Sequence, residues 1–167
     1  MRPAALALVV IVVAACGKTT TVTRTVTVER GAKRGVGAPR EFVEFGYIKS
    51  LARKGDGYVL RFDPAWFLTG ETANAAAAED GKVAPGEPVP NDNYRVDEGH
   101  RLLTYKVPAS ARVTVLKTSP QSTPTTVAEL AAIVHRGRPT LWEPISTGFW
   151  IRVEIDTVKS IDQQYVP

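Results

Sequence analysis

Asp97-Glu98-Gly99-His100 sets two carboxylates and an imidazole side by side, and Asn91-Asp92-Asn93-Tyr94 places further oxygen-bearing side chains just ahead of them. Such groups do general acid–base chemistry or hold a metal that activates water, so Asp92, Asp97, Glu98 and His100 are the residues a hydrolase would use. The same stretch also reads as a recognition loop, with Asn91, Asp92, Asn93, Tyr94 and His100 as its polar contacts. Spacing argues against a metal. Zinc takes three or four nitrogen or sulfur ligands at characteristic separations, and the chain holds two histidines and one cysteine. A calcium loop of the EF-hand kind needs a central glycine and a closing glutamate that this stretch lacks. No metal and no cofactor are therefore assigned, and a solvated turn accounts for the same residues.

The rest of the chain offers little further chemistry. His135 stands beside Arg136 and Arg138 at the end of a helical pattern, where cations complement the helix dipole. There is no Gly-x-Ser-x-Gly, and Gly55-Asp56-Gly57 lies in a turn without the helix that a phosphate-cradling loop requires. Trp66, Phe67, Trp142, Phe149 and Trp150 could line a pocket, although large rings in a small domain usually build its core. The residue types favour a module that binds over one that catalyses.

The elements that must position these residues follow from periodicity and turn chemistry. Phe42 to Leu51 and Tyr58 to Phe62, rich in β-branched and aromatic residues, flank Ala52–Gly57 and predict a β-hairpin. Asp63-Pro64 has the form of a helix cap and first turn, predicting a short helix over Pro64 to Leu68. Glu71 to Asp80 predicts a helix closed by Gly81. The proline-rich Lys82 to Asn93 predicts an irregular loop, extended to His100 as the binding loop. Leu103 to Val107 and Arg112 to Val115 predict a second hairpin through Pro108-Ala109-Ser110. Thr126-Val127-Ala128-Glu129 has capping-box spacing, followed by an apolar face of Val127, Leu130, Ala131 and Val134 and by Gly137 and Pro139 as stops. Phe149, Ile151, Val153 and Ile155 alternate with Trp150, Arg152, Glu154 and Asp156, which predicts a half-buried strand. The fold expected is α+β: a curved antiparallel sheet or small OB-like β-barrel of about five strands with two helices.

The start of the chain differs in kind. Met1-Arg2-Pro3 precedes twelve uncharged apolar residues, Ala4 to Ala15. As a helix they reach about 18 Å, short of the roughly 30 Å hydrocarbon core, so they read as the apolar part of a signal peptide. Val13-Ala14-Ala15-Cys16 resembles the lipobox of bacterial lipoproteins. That resemblance implies cleavage before Cys16, thioether attachment of diacylglycerol to its sulfur, and acylation of the new amino terminus. The alternative is an ordinary secretory signal with Cys16 left free. Three regions result: a signal peptide over 1–15, a flexible Thr/Gly-rich tether over 16–40, and one globular domain over 41–167. A tether of this composition has a root-mean-square reach of about 27 Å.

Charge divides at the same place. Gly17 to Arg40 holds six cations against Glu29, a net of +5, whereas the chain from Glu41 onward holds 14 basic and 16 acidic side chains, a net of −2. A nearly neutral domain lacks the concentrated basic face that nucleic acid requires, so no nucleic-acid partner is expected.

Gly46-Tyr47-Ile48-Lys49, Asp63 to Gly70, Glu79-Asp80-Gly81, Pro90 to Tyr94 and Gln164-Tyr165 together resemble a group of exported bacterial domains with no assigned activity. The resemblance covers roughly Phe42 to Pro167; Asn93 stands where that pattern has a tyrosine. It implies secretion and one compact domain, and no reaction. The expectation is an envelope lipoprotein, lipid-anchored on the outer face of the cytoplasmic membrane, whose domain binds a protein, peptide or small ligand. A hydrolase and a passive spacer stand as alternatives.

Overall fold

Residues 41–99, 101–136 and 141–166 are described by the structure, a computed structural model. The signal peptide, Cys16, the tether, His100 and the stops at Gly137 and Pro139 lie outside the described residues. The first hairpin is formed by β1 (Glu41–Lys54) and β2 (Gly57–Pro64), joined by Gly55 and Asp56 alone, with Gly55 at φ 62. That left-handed angle at the first turn position costs glycine nothing.

The expected helix at Pro64 to Leu68 is not formed. Trp66–Thr69 is a strand, β3, paired antiparallel with β4 (Asn93–Val96), so Trp66 faces Val96 and Thr69 faces Asn93. Two aromatic residues, a leucine and a threonine suit a pleated surface, and a partner distant in sequence outweighs the local cap signal. Asp63 caps nothing: it is buried in β2, and its carboxylate meets Lys49 Nζ at 2.8 Å. Lys49 stands at a register shift in β1 between Ile48 and Ser50.

Between β3 and β4 runs α1 (Gly70–Glu79). It ends as expected: Lys82 N–H donates to Ala77 C=O at 2.8 Å and Gly81 N–H to Ala78 C=O at 3.0 Å, with Gly81 at φ 66. This double closure satisfies the last carbonyls of the helix. Ala73, Ala77 and Val89 form a small core of their own under Leu68, Val83 and Tyr94.

Then follow β5 (Leu103–Pro108), β6 (Arg112–Leu116), β7 (Ser122–Thr125), α2 (Val127–Arg136), β8 (Phe149–Glu154) and β9 (Thr157–Gln163). The expected β5–β6 hairpin is absent. Both strands run parallel to β9, β5 at Lys106↔Thr157 and β6 at Arg112↔Ser160. Pro108 and the bond from Ala111 N–H to Pro108 C=O bend the chain, while pairing with a common neighbour keeps its direction. Nine strands thus stand among the described residues. Five of them, in the order β5-β2-β1-β8-β9, close on themselves through the β5–β9 pair into a mixed barrel, which β6 and β7 extend. An antiparallel meander closed by one parallel pair is an OB-like arrangement.

The interior follows the alternation. Phe149, Ile151 and Val153 of β8 are fully buried with Leu60, Phe62 and Ile161. Ile155 leaves the pattern: it is 67% exposed and, at φ 42, shares the two-residue β8–β9 turn with Asp156. The helix α2 covers the barrel with Val127, Leu130 and Ile133 buried, Ala131 and Val134 packing beside them. Thr126 caps it as expected, its Oγ1 accepting Glu129 N–H at 3.1 Å. The Glu129 carboxylate takes Lys117 Nζ at 2.8 Å and the Thr125 hydroxyl.

Candidate binding site

The described loop residues singled out by type have structural partners, and His100 lies outside the described residues. Asp92 Oδ1 accepts Gly70 N–H at 3.1 Å, so it caps α1, whose own N-cap Thr69 makes no side-chain bond. Asn91 and Asp92 take φ 60 and 52, a conformation that Asn and Asp tolerate best among residues with a Cβ. Asn93 Nδ2 donates to Asn91 C=O, and Tyr94 O–H donates to Asp80 Oδ2 at 2.8 Å across the far end of α1. Asp97 Oδ1 accepts Gly99 N–H in a local turn. Asp97 borders a shallow cleft beside Lys49 and Arg95, whereas Glu98 borders another beside Trp66 and Glu79. Among the described residues no three His, Cys, Asp or Glu side chains gather as a metal site would require. His135 is exposed in the last turn of α2.

The aromatic residues separate into two sets. Phe149 is core, as large rings usually are, and Trp142 is 55% exposed. Trp66, Phe67 and Trp150 instead form one wall system with Phe45. Phe45 packs on Phe67 at 5.1 Å and on Trp150 at 5.2 Å between ring centroids, and Phe67 meets Trp150 at 5.9 Å. The pairing Phe45↔Trp150 sets both rings on the outer face of the β1–β8 ladder, where β3 brings Phe67 against them. Trp150 Nε1 donates to Gln164 Oε1 at 2.7 Å, which fixes the indole.

Beside these rings runs a groove of about 700 Å³. Its walls are Phe42, Val43 and Phe45 of β1, Trp66 and Phe67 of β3, and Trp150 of β8, with Leu103 opposite. Phe42, Val43 and Trp66 are 45%, 50% and 55% exposed and belong to the few large apolar side chains left open to solvent. Their gathering in one concavity makes it a candidate binding surface, since isolated exposed apolar residues are ordinary and a contiguous patch is not. A cleft of similar size at the β1–β2 turn, about 720 Å³, is bordered by Lys54, Tyr58, Lys106 and Pro108 and lacks such a cluster of rings.

Two charged groups reach the groove. Glu44 lies on the inward phase of β1, opposite Ile151, and its Oε2 accepts Tyr105 O–H at 3.0 Å. Burial first, and this bond second, push the Tyr105 phenol far above its ordinary range, so it stays a neutral donor at physiological pH. Arg101 borders the same space and makes no hydrogen bond or ion pair among the described residues. Among the described residues the lining offers surfaces for stacking and apolar burial, the Arg101 cation for an anionic group, and the Glu44 carboxylate.

The sequence does carry a trace of this site. Trp150 sits on the outward phase of an alternating strand, among Arg152 and Glu154, where a polar side chain is the rule. A ring at such a position has a second surface to cover or a ligand to meet. Among the described residues no helix is long and apolar enough to cross a membrane. The chain matches no protein-family model, no curated protein and no solved structure.

Proposed function

We propose that the protein is an extracytoplasmic lipoprotein, held to the membrane by acyl chains on Cys16, whose barrel domain binds a partner through the aromatic groove. The observation that carries the binding role is the clustering of exposed Phe42, Val43 and Trp66 around the fixed Trp150 indole. The lipobox residues Val13 to Cys16 support the anchor, because two or three acyl chains hold a protein stably where one does not. The predicted location is the outer face of the cytoplasmic membrane, and the partner is an envelope protein, peptide or small ligand. The groove replaces the Asn91–His100 loop as the preferred contact surface, since Asp92 and Tyr94 are engaged in holding α1.

Crosslinking in intact cells tests the reading. A photoreactive side chain in place of Trp66 should give a defined adduct that the same group in place of Lys159 does not give. Equal labelling from both positions counts against the groove. Intact mass of the purified mature chain tests the anchor separately: diacylglycerol on Cys16 supports it, and an unmodified first residue refutes it.

A further inference from the structure

We infer that the groove is a strand-addition slot, in which an extended peptide segment of a partner protein pairs with the edge of β1 over Glu41–Phe45. The inference rests on the reading of the groove as the binding surface and adds how the ligand is held. β1 changes neighbours along its length: Glu41 to Gly46 pair with β8, and Gly46 to Lys54 pair with β2. Over Glu41–Phe45, therefore, β1 has a ladder on one side only among the described residues.

The direction of the main-chain groups follows from two bonds. Ala65 N–H donates to Phe45 C=O at 2.9 Å, so Phe45 presents its main chain to the β2 side. Gln164 N–H donates to Gly148 C=O at 3.0 Å on the β9 side, so the next residue of β8, Phe149, presents its main chain to β1. Antiparallel alternation then directs the main-chain groups of Phe42, Glu44 and Gly46 at β8, and those of Glu41 and Val43 away from it, with Val43 at the groove. Donors and acceptors of an exposed edge are a template for another strand.

The walls suit that occupant. Successive side chains of a strand point to opposite faces, and the slot has two different faces: Phe42 and Glu44 with Leu103 on the inward phase, Phe45 and Trp150 on the outward one, with Trp66 of β3 lining the slot as well. The edge from Glu41 to Phe45 spans about 16 Å at 3.3 Å per residue, and its open main-chain groups are those of Glu41 and Val43, because the Phe45 carbonyl already accepts Ala65 N–H. The Arg101 guanidinium, without a partner among the described residues, selects a carboxylate, from an acidic side chain or a chain terminus. The partner segment is thus extended, apolar at alternate positions and anionic where it passes Arg101.

The test uses the full mature chain, acylated, in phosphatidylglycerol nanodiscs. The probe is an acetylated hexapeptide of alternating valine and threonine with a free terminal carboxylate. Binding should slow amide exchange at Val43 while leaving Glu44 unchanged. N-methylation of the three peptide amides on one edge should weaken binding by about tenfold or more, and the same change on the other edge should leave it intact. Val43→Pro should abolish binding without removing a bond to β8, and Val43→Ala, which loses the same groove side chain but keeps the main-chain N–H, should weaken it far less. If the proline variant does not fold, the two N-methylated peptides decide the matter on the unaltered protein. No slowing at Val43, or equal binding of both N-methylated peptides, overturns strand addition. Uptake that is lost in Trp66→Ala yet indifferent to N-methylation overturns it and keeps the groove. Uptake indifferent to Trp66→Ala as well counts against both.

Discussion

Gly148 exists where it does because the Phe45 ring needs the space: a Cβ on Gly148 would stand 2.4 Å from Phe45 Cζ and 2.7 Å from Cε2. Gly148 also takes φ 96, which a residue with a Cβ adopts only with strain. Gly148→Ala should therefore destabilise the domain by about 2–4 kcal/mol, through overpacking and backbone strain together. Thermal denaturation checks this. Because Phe45 carries both Phe67 and Trp150, the variant should also weaken groove binding at temperatures where it remains folded.

Trp66 and Trp150 should part company on substitution. Trp66 is 55% exposed, so Trp66→Ala should change stability by no more than about 0.5 kcal/mol while removing groove binding. Trp150→Ala should lower stability by at least about 1 kcal/mol, because it empties the space against Phe45 and Phe67 and leaves Gln164 Oε1 without its donor. Denaturant titrations of the two variants, each paired with the crosslinking yield, separate contact from support.

Asp92 is a cap supplied from a distant loop. Asp92→Ala should cost about 1 kcal/mol and speed amide exchange in the first turn of α1, whereas Asp92→Asn, which keeps an acceptor oxygen, should restore most of the loss. Loss of function with unchanged exchange at Gly70 would instead restore Asp92 to the binding role its residue type suggests.

The alkaline limb of stability should belong largely to Tyr105. Its folded pKa is raised above the ordinary 10.0 by burial and by Glu44, so the folded state holds the proton more tightly than the unfolded chain. That contribution is fully present below pH 10 and is lost as pH climbs from there through the folded value. Lys49, raised by its bond to Asp63, works in the same direction above its ordinary 10.5, weakly because it is half exposed. Tyr94 is also raised, by its bond to Asp80, so tyrosinate absorbance should show the latest-titrating phenol vanish in Tyr105→Phe while that of Tyr94 remains, and the variant's stability should fall less steeply above pH 10.

Local signals carried much of the architecture. The β1–β2 hairpin, the Gly81 closure of α1, the Thr126 cap and the buried stripe of α2 all follow from residues within a few positions of one another, where turn chemistry and periodicity act directly. Non-local pairing decided the rest. Asp63-Pro64 has the form of a helix start, yet Trp66–Thr69 finds β4, and a cap signal cannot register a partner strand that far along the chain. Ile155 continues the apolar alternation and is nevertheless a turn residue, because β9 follows at once and the reversal must occur there. The site was obscured for the same reason. Phe42, Trp66 and Trp150 carry no common motif, and only the barrel brings them to one groove. The acidic and amide loop drew notice through its residue types, which serve equally well for caps and turns.

The central claim, an open and aromatic-walled edge on β1 that receives a partner, is tested most directly by residue-resolved amide exchange on the purified, acylated chain without ligand. The N–H of Val43 should exchange at close to the rate of an unstructured chain while its neighbours Phe42 and Glu44, bonded to β8, are strongly protected. Equal protection across Phe42, Val43 and Glu44 would mean that the edge is already covered, and would contradict the account.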